Sequence, residues 1–264
     1  MKSLSSLQEF VAAPRAANSI RLLSFNMQVG IQTGAFHHYL SRSWQHLLPS
    51  KQRLQAIQQI ARLSSHFDIV ALQEVDGGSW RSQHLNQAQQ IAELAGFPHY
   101  YQQINRNLGK LAQHSNGVLS RLPAQRIERH ALPGLLPGRG MMLLKYGEGE
   151  QAIMVAATHL ALGKKTQFSQ LDYLIEAVGD HQHLIIMGDL NQEAEVLLQH
   201  SPLSRLNLHP VEAEQCTFPS WRPQRGLDHI LVSDSLELQR IAVIDHPQSD
   251  HLPVAAEIRL PGTR

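Results

Sequence analysis

The chain lacks the features that mark several large classes of protein. Cys216 is the only cysteine in 264 residues, so no disulfide can form within the chain and none argues for secretion. No stretch approaches the roughly 20 consecutive apolar residues that a membrane-spanning helix needs. Residues 1–19 also lack the continuous apolar core of a signal peptide. The sequence therefore predicts a cytoplasmic protein.

A surplus of positive charge is missing as well. Lys and Arg number 23 against 22 Asp and Glu, which gives a formal net charge of +1. Proteins that follow a nucleic-acid backbone usually carry a basic excess, because each phosphate contact uses a cation. We therefore do not expect an extended nucleic-acid groove, whereas a small phosphate-containing substrate or a short nucleic-acid contact fits this charge.

No fixed-period repeat, low-complexity tract or Gly/Ser linker divides the chain. With 42% hydrophobic residues, the chain can bury one large core. We expect a flexible N-terminal extension over residues 1–18 and a single domain over residues 19–260.

Short apolar runs and helical stripes alternate along this domain. The runs predict strands at residues 19–25, 68–72, 117–120, 141–146, 152–158, 184–187, 227–232 and 253–258. Apolar residues at helical spacing predict helices at 50–63, 83–95 and 166–178, and a short helix within 189–199. The first two stripes include Leu54 and Leu85. This order favours one α/β domain built on more than one sheet.

The connection over residues 30–49 is long and rich in aromatic residues. Long loops often carry binding function, and a packed structural excursion is the alternative. If the loop meets a lipid surface, residues 31–49 would supply an apolar patch of Phe36, Tyr39, Leu40, Trp44 and Leu47.

Polar residues recur where the apolar runs end. A rigid scaffold presents a functional site in this way, with side chains at the ends of buried strands. Six separate segments contribute, and their residues are Asn26, Glu74, His159, Asp189 with Asn191, Asp228, and Asp250 with His251.

Four of these residues are carboxylates: Glu74, Asp189, Asp228 and Asp250. Brought together without compensation, they would repel one another and raise each other's pKa values. A hard divalent cation relieves the repulsion, and oxygen ligands suit Mg²⁺ or Mn²⁺. Glu74 is the first candidate metal ligand and Asp250 the second.

The remaining polar residues fit the hydrolysis of a phosphate ester. His251, oriented by Asp228, could act as a base or bind phosphate, and Asp189 could align or deprotonate a water molecule. Groups that could donate to phosphoryl oxygens or meet their developing charge are Asn26, Asn191, His159 and Arg139.

Each candidate also has a purely structural interpretation. Asp189 and Asn191 could cap the following helix, and Asp250 with His251 could form a turn before Pro253. Similarly, Asp228 could sit in a solvated turn, His159 in the core, and Arg139 on the surface.

The ordered set of motifs resembles the endonuclease/exonuclease/phosphatase superfamily. The matching stretches are SFNMQ (Asn26), ALQEV (Glu74), NGVLSR (Asn116), GRGMM (Arg139), ATHL (His159), GDLN (Asp189, Asn191), GLDHILVS (Asp228) and SDHLPV (Asp250, His251). They extend from about residue 20 to residue 258, in the family's order.

The resemblance implies a deoxyribonuclease I-like, four-layer α/β/β/α sandwich and metal-assisted attack of water on phosphorus. It implies that Glu74 binds Mg²⁺ or Mn²⁺ with help from Asp250, and that Asn26 supports metal and phosphate. Catalytic roles then fall to His251, Asp189, Asn191, His159 and Asp228. Arg139 resembles a phosphate-contacting arginine, while Asn116 could bind substrate or simply shape its turn.

One departure from the family pattern concerns Gln28. Repair-type nucleases carry an acidic residue at this position. Gln28 therefore argues against a second metal ligand there and against a function in DNA repair. A phosphodiesterase is the leading hypothesis. The alternatives are a DNA or RNA nuclease, a phosphomonoesterase for inositol phosphates or lipid headgroups, and a catalytically silent phosphate-binding module.

Overall fold

The computed structural model describes residues 5–28, 51–79, 82, 84–107, 113–135, 137–209 and 216–262, with only the backbone at residues 51–53. The aromatic patch predicted within residues 31–49 lies outside these residues. The helices are α1 (Leu7–Ala12), α2 (Lys51–Ser64), α3 (Gln87–Ala95), α4 (Lys164–Val178) and α5 (Ala194–His200). The strands are β1 (Ser19–Asn26), β2 (Ile69–Asp76), β3 (His99–Asn107), β4 (Gln113–Ser120), β5 (Arg126–Ala131), β6 (Gly140–Tyr146), β7 (Ile153–His159), β8 (His183–Asp189), β9 (Leu208–His209), β10 (Asp228–Ser233), β11 (Glu237–Val243) and β12 (Val254–Arg259).

The strands form two six-stranded sheets. The first has the order β11-β12-β1-β2-β4-β3 and the second the order β5-β6-β7-β8-β10-β9. In each sheet one central pair is parallel, β1 with β2 and β7 with β8. Because the other neighbours are antiparallel, both sheets are mixed.

The sheets pack face to face, and helices cover their outer faces. Apolar side chains of both sheets, such as Leu22 and Val155, share the central core. On the outer face of the first sheet lie α2 and α3, which contribute Ile60 and Ile91. The second sheet is covered by α4 and α5. This helix–sheet–sheet–helix order confirms the predicted four-layer fold.

For two residues of the predicted helical stripes, the expected position on a buried face is wrong. Leu54 and Leu85 are each 48% exposed, although Ile57 and Ile60 of the first stripe are buried. Leu85 precedes α3, which begins at Gln87 after the side chain of Asn86 caps its first turn. The cap residue, rather than the apolar spacing, sets where this helix starts.

Four strands had no apolar run to predict them. β3 and β5 mix exposed and partly buried positions, and β11 is buried only at its end. β9 is just two residues long. Outer strands of this kind bury too little apolar surface to stand out in a sequence.

Residues 5–18 pack against the sheets, contrary to the expectation of a flexible extension over 1–18. Ser5 bonds the backbone of Val243 in β11, with 3.1 Å between its nitrogen and the carbonyl oxygen. In α1, Phe10 is buried, and the guanidinium groups of Arg21 and Arg240 lie 5.9 and 5.8 Å from the centre of its ring. Within the described part of the chain, no helix is both long and apolar enough to span a membrane.

A buried ion pair connects this N-terminal segment to the first sheet. Arg21 Nε lies 3.0 Å from Glu257 Oε2, and both side chains are almost fully buried. Burial raises the pKa of Glu257, but hydrogen bonds from the Ala16 N–H, Arg21 and Ser19 outweigh it and lower the pKa below its ordinary value.

Replacing Arg21 should destabilise the protein, because the substitution leaves the buried carboxylate of Glu257 with Arg240, 3.5 Å away, as its remaining cationic partner. We expect Arg21→Met to lower the free energy of unfolding by about 3 kcal/mol, measured by urea denaturation. The matched control is Arg259→Met, whose pair with Glu237 is about half exposed and should contribute less than about 1 kcal/mol. Equal losses in the two variants would contradict the importance of burial.

Candidate functional site

The predicted site residues meet at one edge of the two packed sheets. Asn26 ends β1, His159 ends β7, Asp189 ends β8 and Asp228 begins β10. Asp189 is paired in register with His159 on one side and with Asp228 on the other. Since neighbouring residues in a sheet project to the same face, this register itself places the three side chains together.

The carboxylate of Asp189 is the centre of the group. Its Oδ2 lies 3.0 Å from Asn26 Nδ2, 3.2 Å from His159 Nε2 and 3.9 Å from His251 Nε2. Its Oδ1 accepts a hydrogen bond from the backbone N–H of Asn191 at 3.0 Å. Burial raises the pKa of Asp189, but the charges of His251 and His159 and these hydrogen bonds hold it well below its usual range.

His251 is held by a second carboxylate. Its Nδ1 lies 2.7 Å from Asp228 Oδ2, which also accepts a hydrogen bond from Thr217 at 2.5 Å. The ring of Phe218 packs against the imidazole, with 4.9 Å between centroids. Burial lowers the pKa of His251, but the charges of Asp228 and Asp189 prevail and raise it to about 10. The imidazole is therefore held in one orientation, and its protonated form is favoured.

Asn191 binds the backbone of the neighbouring loop. Its side-chain Nδ2 donates to the carbonyl oxygen of Leu160 at 2.9 Å, and its backbone has φ of 53°. The following helix, α5, has Glu193 at its N-cap. Neither Asp189 nor Asn191 occupies that capping position, so the structural alternative considered for them does not explain their placement.

Glu74 reaches the site through an irregularity in β2. The pairing with β4 shifts between Leu72 and Val75, which leaves an extra residue in β2. Glu74 lies in this bulge with φ of 55°, a conformation that costs side-chain-bearing residues about 1–3 kcal/mol. Bulges redirect side chains beside functional sites, and this one brings Glu74 to the wall of the cavity described below.

Asp250 lies in the connection before β12 and is buried. Burial raises its pKa to about 6, and the charge of Glu74 adds to this rise while His251 opposes it. The negative charge of Glu74 therefore acts on Asp250, whereas the pKa of Asp189, another of the four predicted carboxylates, is lowered rather than raised.

Two sets of residues could hold a metal ion. Asp189, Asp228 and His251 offer ligand atoms within 4.8 Å of one another. Most of these atoms already bind each other or neighbouring groups, although Asp228 Oδ1 is buried with no hydrogen-bond partner among the described residues. The second set is Glu74 with Asp250, a pair with excess negative charge and oxygen ligands that suit Mg²⁺ or Mn²⁺.

Arg139, just before β6 of the second sheet, and Asn116, in β4 of the first sheet, lie beside the site. Arg139 Nη1 lies 2.7 Å from Nε2 and 2.9 Å from Nδ1 of His159, so this arginine is part of the group rather than a remote surface residue. Asn116 is buried, and its Nδ2 donates to the carbonyl oxygen of Gly140 at 3.1 Å. Asn116 therefore supports the strand that follows Arg139.

A cavity of about 540 Å³ opens beside these residues. Glu74, Asn116, Arg139 and His159 line it, and the substrate or metal contacts that the sequence predicted for them stay predictions. Its lining also contains residues that sequence reasoning missed, namely Asn105, Arg106, His114, Ser115, Thr166 and Gln170. Asn105 and Arg106 belong to β3, a strand that no apolar run in the sequence predicted.

Two buried glutamines of α4 were also missed. Gln170 Nε2 donates to the carbonyl oxygen of Pro133 at 2.9 Å, while its Oε1 accepts from the N–H of Ala161 at 2.8 Å. Gln167 Nε2 donates to the carbonyl oxygens of Ala161 and Asn191 at 2.8 and 2.9 Å. Their positions in the helical stripe beside Leu171 and Leu174 were a usable signal, because buried polar side chains need partners.

The sequence matches a known family over most of its length. The model of the endonuclease/exonuclease/phosphatase family covers residues 23–251. Among curated proteins, no match was found.

Solved structures share the fold at low sequence identity. An endonuclease/exonuclease/phosphatase structure from Beutenbergia cavernae is 20% identical, with a TM-score of 0.67 over 93% of this chain and 72% of that one. The mannosyl-6-phosphatase of Bacteroides thetaiotaomicron is 18% identical, with a TM-score of 0.65 over 90% and 99%. ANGEL2, a 2',3'-cyclic phosphatase, is 15% identical, with a TM-score of 0.66 over 92% and 96%. At these identities the likeness shows the fold alone.

The position of Asp189 depends on the glycine before it. Gly188 has φ of 151°, and a Cβ added there would lie 1.8 Å from the carbonyl oxygen of Thr158 in β7. We expect Gly188→Ala to lower the free energy of unfolding by about 3 kcal/mol or more, because the strands must move apart. Urea denaturation would measure the loss.

Gly163 provides the matched control for this substitution. Its φ is −87°, and a Cβ there would meet no atom within 4 Å. Gly163→Ala should cost less than about 1 kcal/mol, as an ordinary change at a helix N-cap. A tolerated Gly188→Ala would show that β7 and β8 do not need this close approach.

Proposed function

Because this chain belongs to the endonuclease/exonuclease/phosphatase family, we propose that it is a divalent-metal-dependent hydrolase of phosphate esters, acting on phosphodiesters. The observation that carries the proposal is the buried Asp189 carboxylate, surrounded by Asn26, His159 and a His251 that Asp228 holds in place. Hydrolysis of a phosphate ester requires such an ionised group beside donors that meet negative charge.

In this proposal Asp189 orients a water molecule or accepts its proton as the water oxygen bonds to phosphorus. The bond from phosphorus to the ester oxygen breaks, and this leaving oxygen, assisted by His159, takes up a proton and departs as an alcohol. His251 contacts a phosphoryl oxygen or shares in the proton transfer, and Asp228 keeps its ring in place. The phosphoryl oxygens gain negative charge during attack, and the groups beside them are His159, Arg139, Asn191 and Asn26. Asn191 can contribute because an amide has two hydrogens and the bond to Leu160 uses one of them.

Glu74 and Asp250 would hold the metal ion, with the side-chain oxygen of Asn26 nearby. The repulsion between the two carboxylates and the raised pKa of Asp250 support this assignment, because a bound cation would relieve both. Mg²⁺ or Mn²⁺ fits the oxygen ligands, and when bound it polarises the phosphoryl group. The metal ion then does not occupy Asp189 and His251, which take part in proton transfer, or Asp228, which holds the ring of His251.

Several features bear on the substrate. The near-neutral charge and Gln28 weigh against a nuclease that follows a long DNA, and the cavity fits a small substrate. Structures with this fold include both a mannosyl-6-phosphatase and a 2',3'-cyclic phosphatase, so the fold alone does not separate phosphomonoesters from phosphodiesters. Within the proposal the enzyme is cytoplasmic, and contact of residues 31–49 with a membrane surface stays a prediction.

We expect His251→Ala and Asp228→Asn to lower kcat about a hundredfold or more, because general acid–base groups contribute at least this much. The assay is hydrolysis of bis(4-nitrophenyl) phosphate, with 4-nitrophenyl phosphate as the monoester comparison. The control is His209→Ala, since His209 pairs with Asp234 at an exposed position. Full turnover in a folded His251 or Asp228 variant would refute these roles, and absence of turnover by the wild type would favour a silent binding module.

Metal removal tests the assignment of the cation site. EDTA should stop hydrolysis, and Mg²⁺ or Mn²⁺ should restore it. Calorimetric titration with Mn²⁺ should show at least about tenfold weaker binding for Glu74→Gln than for the wild type, whereas Asp228→Asn should bind almost normally. Glu237→Gln, at an exposed pair, is the control. Weakened binding in Asp228→Asn but not in Glu74→Gln would move the metal to the other set of residues.

A further inference from the structure

The geometry points to an anion-binding subsite at Arg106, which would hold a second negatively charged group of the substrate. The inference rests on the proposed function, because that function places the scissile phosphate beside His159 and Arg139. It goes further by naming the substrate class: compact, hydrophilic phosphate esters that carry another phosphate or a carboxylate.

The charges around the cavity are unequal. Glu74 is the only carboxylate among the described lining residues, whereas Arg106 and Arg139 are both cationic there. The two arginines outnumber this carboxylate even without a bound cation, and a cation held by Glu74 would also cancel its charge. The cavity is therefore electropositive at two places, and a substrate with a single phosphate would neutralise only one of them.

Arg106 is held at the cavity wall by its own strand. The pairing of β3 with β4 shifts between Ile104 and Arg106, so a bulge places Asn105 and Arg106 beside the cavity. The stem of Arg106 packs against Gly138, where an added Cβ would lie 3.5 Å from its Cβ and Cδ atoms. Gly138 immediately precedes Arg139, so the two arginines flank one loop.

The two arginines differ in what they bind. Arg139 contacts His159 and thereby adjoins the central group. Arg106 is exposed, and no described residue forms a hydrogen bond or an ion pair with its side chain. A guanidinium can bind a carboxylate or phosphate through two parallel hydrogen bonds. Arg106, which has no such partner among the described residues, is thus suited to an anionic group that arrives with the substrate.

The remaining lining favours a hydrophilic substrate body. Side chains with hydrogen-bonding groups include those of His114, Asn116 and Thr166. Among the described lining residues, the large apolar side chains are those of Leu135 and Leu162, which are 101% and 78% exposed and so lie at the rim of the cavity. A small molecule with hydroxyl groups fits this interior better than an acyl chain does.

The test compares three ligands with one six-carbon skeleton: glucose 6-phosphate, glucose 1,6-bisphosphate and 6-phosphogluconate. Dissociation constants would be measured by calorimetry on the full chain in EDTA, which prevents turnover and separates binding from catalysis. We expect the second anion to tighten binding about tenfold in the wild type, the usual size of one charge-assisted contact. The bisphosphate and the phosphogluconate distinguish a second phosphate from a carboxylate.

In Arg106→Ala this gain should fall below about twofold, while binding of glucose 6-phosphate stays within about twofold of the wild type. Arg106→Lys should recover part of the gain, because it keeps the charge but loses the planar fork. The control Arg62→Ala removes an exposed arginine of α2 and should keep the full gain. The inference is overturned if the wild type shows no gain, if the gain survives in Arg106→Ala, or if none of the ligands binds. Failure of the proposed function would show separately, as absence of aryl phosphate hydrolysis.

Discussion

A carboxylate can stay charged inside a protein only if neighbouring groups compensate its charge, and the arrangement around Asp189 satisfies this requirement. Two imidazoles, an amide and a backbone N–H surround it, and each comes from a different segment of the chain. The parallel pairs at the centre of the sheets deliver these segments to one edge. The fold and the site thus depend on the same register, which pairs Asp189 with His159 and Asp228.

The sequence predicted the central part of this arrangement because the same short stretches contain both the apolar residues of a buried strand and the polar residues of the site. Four central strands, β1, β7, β8 and β10, are largely apolar, and each ends or begins at a predicted site residue, namely Asn26, His159, Asp189 or Asp228. The four-layer order followed from the resemblance carried by these stretches, and the family and the fold are confirmed. The roles assigned to Glu74, Asp189 and His251 remain predictions, although the structure brings their side chains together.

The sequence could not predict the parts that depend on irregular backbone or on exposed strands. Asn105 and Arg106 lie in β3, whose mixture of exposed and partly buried positions resembles a loop. Glu74 was predicted as a strand end, but β2 continues to Asp76 and a bulge turns Glu74 toward the cavity. The alternation of apolar and polar residues in a sequence cannot reveal a bulge, because one extra residue exchanges the two faces of the strand beyond it.

Buried polar side chains outside the predicted site join its loops. Gln167 and Gln170 bond backbone groups of three loops, those of Pro133, Ala161 and Asn191. Arg139, His159 and Asp189 all lie on or beside these loops. Because a helix is more rigid than a loop, α4 provides a fixed reference for their relative positions.

The packing of the N-terminal segment has a practical consequence for where an expressed fragment of this protein should begin. Alignment to the family begins at residue 23, and an expression boundary near residue 18 would look natural from the sequence. Such a boundary would remove Phe10 from beneath Arg21 and Arg240, together with the Ala16 N–H that binds Glu257 at 2.7 Å. The shortened protein would then expose to water part of an ion pair that is buried in the full chain.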